Sequence, residues 1–194
     1  MQPIRDCPTL GPLVDEHGEL VLEPAEDPFA RLVVSIINQQ VSTQSAAAIR
    51  ERVFDRFEVT PESMLAADGE LLRDAGLSDA KVRYVRSAAE AFQDGRITPA
   101  RFDGMAEEDV VAELTDVTGI GAWTAKMYLM FVLGREDVFP IEDLGIRRGM
   151  ELLYGDISRT EMVERAEPWR PYRSYASLYL WQHYEDGDSQ VGVP

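Results

Sequence analysis

The chain has 194 residues, of which 45% are hydrophobic, so it is long enough for one domain or for two small lobes that share a core. A single cysteine excludes an intrachain disulfide and a cysteine-held metal cluster, and two histidines argue against a histidine-rich metal site. A formal net charge of −16 is unusual for a nucleic-acid-binding protein. The lack of a membrane-length apolar run or a secretion signal predicts a cytoplasmic protein that does not associate with membranes. We also expect a monomer.

In chain order, the predicted elements describe a nearly all-α protein. Residues 1–26 contain four prolines and a polar turn at 15–18, which predict an extended N-terminal arm with a possible hairpin. Asp27 followed by Pro28 is typical of a helix start, and from there apolar residues recur at helical spacing with negligible strand signals. We therefore expect a helical domain over residues 27–194. Its predicted helices span 29–39, 42–57, 61–67, 68–75, 78–94, 106–114, 123–133, 143–154, 160–167 and 174–184.

A glycine turn joins the helices predicted at 106–114 and 123–133. Gly119 and Gly121 flank one apolar residue, and the turn opens directly into the second helix. Such a turn presents backbone N–H groups to an anion, and the helix dipole favours negative charge there. The pattern predicts a phosphate-binding hairpin.

Asp143 precedes the helix predicted at 143–154 and has two interpretations. As an isolated residue it is a typical helix N-cap. If the loop after the hairpin helix folds back toward the glycine turn, the same carboxylate would lie beside a bound nucleotide. There it could stabilise a sugar cation or help activate a water. The two roles are compatible.

Two further segments each have two possible interpretations. Residues 169–181 are rich in tyrosine, tryptophan and arginine, which favours either a core helix or a surface on which extruded bases stack. An indole face also attracts a cation, such as a positively charged alkylated base. The polar run at 38–44 is either a helix-to-helix turn with Ser42 as N-cap or a finger that fills the space left by an extruded nucleotide.

The acidic surplus is spread along the chain, and Lys81 and Lys126 are its only lysines. This composition is typical of a protein that stays hydrated in concentrated salt, so we expect a halophilic source. In molar salt the Debye length is about 3 Å, and repulsion from DNA phosphates would be largely screened. Binding would then depend on hydrogen bonds, stacking and shape.

With these residues in view, the sequence resembles the helix-hairpin-helix DNA glycosylase superfamily, and within it the 3-methyladenine DNA glycosylase II family of alkylation repair. Four segments carry the resemblance, in the family's order: IINQQVS at 36–42, AGLSDAK at 75–81, VTGIGAWTA at 117–125, and WRPYRSYA at 169–176 running on to Trp181. The resemblance implies an all-α fold of two helical lobes with the active-site cleft between them. It also implies that the partner is double-stranded DNA containing damaged bases.

The resemblance also implies a role for each matching residue. Asp143 matches the catalytic aspartate, and Gln40 matches the wedge that enters the duplex as the damaged nucleotide leaves. The base pocket would be lined by Trp123, Trp181, Tyr175 and Tyr179. The DNA-binding residues would be Gly119, Gly121 and Thr124 with Gln40, and a monovalent Na⁺ or K⁺ ion would be held by the backbone carbonyls of Thr115, Val117 and Ile120.

The same comparison implies a mechanism without strand cleavage. Relatives that act as lyases carry a Schiff-base lysine two residues after the second hairpin glycine, where this chain has Trp123. Lys126 lies almost one helical turn further on, and the chain lacks the four cysteines of an iron–sulfur cluster. Thr118 stands where the family usually has proline.

We expect a monofunctional glycosylase that releases 3-methyladenine or 7-methylguanine. The alternatives are a mismatch or oxidised-base glycosylase on this scaffold and a non-catalytic DNA-binding module.

Overall fold

A computed structural model describes the backbone of residues 1–190 and the side chains of residues 1–187, and its secondary structure there is entirely helical. The predicted all-α fold is confirmed. The ten predicted helices are all present, and most of their bounds differ by one or two residues. The α-helices are α1 (Gln2–Arg5), α2 (Gly11–His17), α3 (Pro28–Asn38), α4 (Thr43–Arg56), α5 (Pro61–Ala66), α6 (Gly69–Asp74), α7 (Asp79–Gln93), α8 (Glu107–Thr115), α9 (Ala122–Phe131), α10 (Leu144–Tyr154), α11 (Arg159–Ala166) and α12 (Arg173–Gln190), with 3₁₀ turns at Pro99–Phe102 and Glu167–Trp169.

The expectation of an extended N-terminal arm is wrong, because α1 and α2 are helical. Each of these helices has a proline at one of its first two positions, where the fixed φ of proline suits a helix and its missing N–H costs nothing. Leu10 and Leu13 are buried together with the side chains of α10 and α12. The prolines therefore start short helices instead of keeping the arm extended.

The chain divides into two compact units, residues 24–133 and residues 1–23 with 134–194. The predicted domain of 27–194 extends over parts of both, and its last four residues lie outside the described backbone. In the first unit, α3 packs against α4, α7 and α9, and α8 packs against α9. One face of α3 is fully buried and forms the centre of this unit, with Leu32, Val33, Ile36 and Ile37.

In the second unit, α12 packs against α10 and α2. Gly149 of α10 lies where the backbone of α12 crosses closely, since a Cβ on Gly149 would lie 2.5 Å from the carbonyl oxygen of Leu180. Trp169 is fully buried and packs edge-on against Phe139 with ring centroids 6.1 Å apart. No helix in the described part of the chain has the length and apolar character needed to cross a membrane.

The close crossing at Gly149 predicts the effect of a single methyl group. Gly149→Ala should lower the free energy of unfolding by about 1–3 kcal/mol, because the contacting atom belongs to backbone and cannot rotate away. Gly69→Ala is the matched control. A Cβ on Gly69, the first residue of α6, would meet only the ends of the Arg73 and Arg86 side chains, at 3.5 and 3.7 Å, so its change should stay within about 0.5 kcal/mol. Urea unfolding measures both, and equal losses would contradict the crossing.

Candidate active site

The predicted glycine turn connects α8 to α9, and the conformation of Gly119 explains the first glycine. Its φ of +92° lies in the left-handed region, and a Cβ there would lie 2.1 Å from Cγ of Tyr84. The Tyr84 ring of α7 therefore lies directly against the turn. The protein's own backbone and packing require glycine at this position.

Gly121 differs from Gly119 in both respects. Its φ of −93° is accessible to any residue, and a Cβ would meet no atom within 4 Å. Gly121 is the N-cap of α9, and no side chain caps this helix start. The first backbone bond of the helix runs from Ala125 N–H to the Gly121 carbonyl at 2.9 Å, so the N–H groups of residues 122–124 precede the helical ladder. Glycine is an acceptable N-cap, but serine, asparagine or aspartate would cap the helix better and would have room, so capping alone does not require glycine here.

The polar run at 38–44 forms the turn between α3 and α4, which lies against the hairpin. Gln39 Nε2 donates to the carbonyl oxygen of Gly119 and to Oγ1 of Thr124, both at 2.9 Å. Gln40, the next residue, is exposed and has a φ of +54°, a conformation that costs a non-glycine residue of order 1 kcal/mol or more. The turn therefore has one anchored glutamine and one exposed glutamine.

Thr124, a predicted DNA-binding residue, has its side chain inside the protein, so its backbone N–H is the group that the prediction leaves for DNA. Thr124 is only 1% exposed, and its hydroxyl accepts the hydrogen bond from Gln39. Its side chain holds the neighbouring turn.

The three carbonyls expected to hold a cation belong to the end of α8 and the hairpin turn. The Thr115 hydroxyl donates to the carbonyls of Val111 and Ala112 within its own helix. The Val117 carbonyl accepts the N–H of Ile120 at 3.0 Å and keeps a second lone pair.

Asp143 is the N-cap of α10, as the sequence predicted, and its Oδ1 has two donors. Oδ1 accepts the N–H of Ile146 at 3.0 Å and Nε1 of Trp181 at 2.8 Å. Gly145 leaves room for this pair, because a Cβ there would lie 2.8 Å from Cδ1 of Trp181 and 3.1 Å from Asp143 Oδ1. Capping and the indole bond therefore fix the orientation of one carboxylate.

The loop before Asp143 is fixed by the start of α12. The Ser174 hydroxyl donates to the carbonyl of Arg135 and accepts the N–H of Val138. Arg173, which is 8% exposed, donates to both carboxylate oxygens of Asp137, at 2.7 and 3.1 Å. A bidentate ion pair of this kind, with a buried arginine and a partly exposed aspartate, has strict geometry. The segment that leads to Asp143 therefore follows the position of α12.

The predicted aromatic residues lie in different surroundings. Trp123 is half-buried at the second position of α9, and Trp181 is half-buried beside Asp143. Tyr175 donates its hydroxyl to Glu136 at 3.1 Å and lines a cavity of about 220 Å³ whose lining does not include Asp143 or Trp181. Burial raises the pKa of the Tyr175 hydroxyl, and the nearby Glu136 adds to that rise.

The structure corrects the expectation that Tyr179 lines a base pocket. This side chain has no exposed surface, and its hydroxyl donates to the Gly18 carbonyl at 2.9 Å and accepts the N–H of Leu20 at 3.2 Å. A ring enclosed on all sides cannot stack on a base. Tyr179 is a core residue that ties α12 to the segment after α2.

Sequence reasoning did not find Gln39, Gly145 or Tyr84, which position the residues it did find. Gln39 and Gly119 are 80 residues apart, and no local pattern signals their bond. Gly145 offered a weak signal, since glycine in the first turn of a helix has no propensity advantage and requires another explanation.

Known proteins resemble this chain over most of its length. Residues 33–172 match the family model described as HhH-GPD superfamily base excision DNA repair protein. The chain is 32% identical over 169 residues to DNA-3-methyladenine glycosylase 1 of Schizosaccharomyces pombe, a match that covers 81% of this chain and 72% of that protein. A Bacillus subtilis relative is 30% identical over 189 residues, and the chain spans 66% of its length.

The fold agrees with a solved relative as well. The S. pombe 3-methyladenine DNA glycosylase in complex with abasic DNA matches with a TM-score of 0.86 and 28% identity, over 93% of this chain and 94% of that one. The family match covers well over half of the chain and includes both the hairpin and Asp143. The chain belongs to the HhH-GPD superfamily of base excision DNA repair proteins.

Proposed function

We propose that this protein is a monofunctional DNA glycosylase that hydrolyses the N-glycosidic bond of alkylated bases in double-stranded DNA. The observation that carries the proposal is the bond between Trp181 Nε1 and Asp143 Oδ1 on a carboxylate already fixed as a helix cap. A non-catalytic DNA-binding module would explain the hairpin, but it gives no reason for this pair. The names of the relatives, DNA-3-methyladenine glycosylases, support the alkylated-base assignment.

The hairpin is the proposed grip on the DNA backbone. Gly121, the N-cap of α9, has open space beside it, and the helix dipole with the first-turn N–H groups favours a phosphate there. Such contacts do not require a basic surface, which suits a chain with a net charge of −16. The proposed wedge is Gln40, because it is exposed on a turn whose backbone is held in a strained conformation.

The main contribution of the protein to the proposed chemistry is a negative charge beside the sugar of the extruded nucleotide. A base such as 3-methyladenine or 7-methylguanine carries a positive charge, so when the C1′–N bond breaks it leaves as a neutral molecule. The sugar becomes an oxocarbenium ion, which the Asp143 carboxylate stabilises. A water adds its oxygen to C1′ and releases a proton, which leaves an abasic site. Trp123 and Trp181 are the proposed stacking partners of the cationic base.

The proposal assigns no lyase step to the protein. Trp123 stands two residues after Gly121, where a Schiff-base lysine would have to be, and an indole nitrogen cannot form that adduct.

We also propose that the backbone carbonyls of Thr115, Val117 and Ile120 bind a Na⁺ or K⁺ ion. Such an ion prefers carbonyl oxygens and would stiffen the turn.

We propose the cytoplasm as the compartment in which the protein acts.

The role of Asp143 predicts a variant that keeps its fold and loses its chemistry. Asp143→Asn should reduce base release from methylated duplex DNA by about 100-fold or more, because the negative charge is lost while asparagine caps the helix equally well. Affinity for abasic-site DNA should stay within about threefold of the wild type. Single-turnover base release and fluorescence anisotropy measure the two quantities.

The matched control for this prediction is another N-cap aspartate. Asp27→Asn changes the cap of α3, whose side chain accepts the N–H of Ala30, and should leave base release unchanged. Substantial excision by Asp143→Asn would remove the aspartate from the mechanism.

The open surroundings of Gly121 predict a separation of binding from folding. Gly121→Ala should weaken binding to abasic-site DNA about tenfold, because the added methyl group stands where a phosphate would approach, while the fold has room for it. Anisotropy with a labelled duplex measures the affinity, and the urea midpoint reports the fold. Unchanged affinity would place the phosphate elsewhere.

The proposed halophilic origin predicts an unusual salt response. A glycosylase that binds through Lys and Arg contacts to six or more phosphates loses about a thousandfold in affinity between 50 and 200 mM salt. Here base release should fall by less than about tenfold from low to molar KCl, since backbone N–H contacts release few counterions. The assay is base release from methylated duplex at both salts, and a steep decline would contradict the expectation.

A further inference from the structure

The side chain of Gln39 connects two segments to which the proposed function assigns separate tasks. Its amide nitrogen uses both hydrogens, one on the Gly119 carbonyl in the hairpin turn and one on the Thr124 hydroxyl in the first turn of α9. Its chain neighbour is Gln40, the exposed residue with a φ of +54°. One amide group thus spans the start of the phosphate-binding helix and the turn that carries the proposed wedge.

Other contacts of the same turn lead away from the hairpin. Lys81 of α7 is buried and donates Nζ to the Ile37 carbonyl at 2.7 Å, and burial lowers the pKa of its ammonium. Arg50 of α4 donates to Asn38 Oδ1 at 2.7 Å. These two bonds hold the end of α3 to α7 and α4. Among the hydrogen bonds described for residues 37–40, those of the Gln39 side chain are the ones that reach the hairpin.

The geometry demands a two-donor side chain at position 39. Both acceptors face the same nitrogen, so an amide fits, whereas a carboxylate would bring its oxygen against the Gly119 carbonyl oxygen. A glutamine that merely filled space would not need both acceptors on the hairpin side. The arrangement makes the wedge turn move with the hairpin.

We propose that Gln39 is a positioning residue that couples phosphate binding at the hairpin to insertion of Gln40 into the duplex. This inference rests on the proposed function of the hairpin and of the wedge. When the hairpin takes a phosphate, Gln39 fixes the backbone of Gln40 at one distance from it. Without the amide, the hairpin still binds DNA, but the wedge is no longer held in register with the nucleotide to be extruded.

The proposal predicts that the defect of a Gln39 variant depends on the substrate. Gln39→Met has similar length and no donor, and it should lower single-turnover base release about tenfold from a duplex whose 7-methylguanine is paired with cytosine. Release of the same base from a duplex where it faces an abasic analogue should fall less than about threefold, because an unpaired base needs little help to leave the stack.

The controls separate coupling from general damage to the protein. Gln93→Met removes a glutamine whose amide bonds Glu62 on the surface of the same unit, and it should leave both rates unchanged. Equal losses by Gln39→Met on the two substrates would indicate a merely structural role and overturn the proposal.

A second check is the double variant that combines Gln39→Met with Gln40→Ala. If Gln39 acts through Gln40, the double variant should be no slower than Gln40→Ala alone, and additive losses would contradict coupling.

A fluorescence measurement makes the inference independent of catalysis. With 2-aminopurine next to an abasic analogue, wedge insertion by the wild type should raise the fluorescence, and Gln39→Met should give less than about half of that rise at saturating protein. A wild type that raises fluorescence but releases no base would refute the proposed function and leave the Gln39 comparison intact. Equal fluorescence from both proteins would overturn the coupling.

Discussion

A single carboxylate oxygen joins two helices of this protein and belongs to the residue that is central to its proposed chemistry. Oδ1 of Asp143 accepts the N–H of Ile146, which starts α10, and Nε1 of Trp181 from α12. The cap fixes where α10 begins, and the indole fixes how the carboxylate is turned. Gly145 exists as glycine because any side chain would displace the indole. Since α10 and α12 pack along their lengths, a shift of either helix would change the direction of this carboxylate.

The arginines around the start of α12 form ion pairs within the protein. Arg173 and Arg170, next to the loop that leads to Asp143, both pair with Asp137. They therefore serve the fold and add little positive potential for DNA. The acidic surplus of the chain favours the proposed grip on DNA through neutral donors at short range. The bare start of α9 supplies such donors, which reconciles a net charge of −16 with membership of a DNA repair family.

Sequence reasoning succeeded where local rules act and failed where distant residues meet. N-caps such as Asp27 and Asp143 and the hairpin glycines follow from spacing alone, so most bounds of the helices after residue 27 were predicted to within two residues. The arm was misjudged because two short helices with early prolines have no periodicity to detect. Tyr179 was misjudged because a tyrosine on an aromatic helix carries no mark of which face is buried. The bond of Gln39 spans 80 residues, beyond any local signal.

The two hairpin glycines show how a structure separates residues chosen by the fold from residues chosen by something outside it. Gly119 has a left-handed backbone and the Tyr84 ring against it, so packing alone accounts for it. Gly121 has neither, and although glycine is an acceptable N-cap, serine, asparagine or aspartate would cap α9 better and would have room. A position where the protein has room for a side chain and still lacks one points to a partner that needs the room. At the start of α9 the proposed partner is a phosphate of DNA, which the N-terminus of a helix favours.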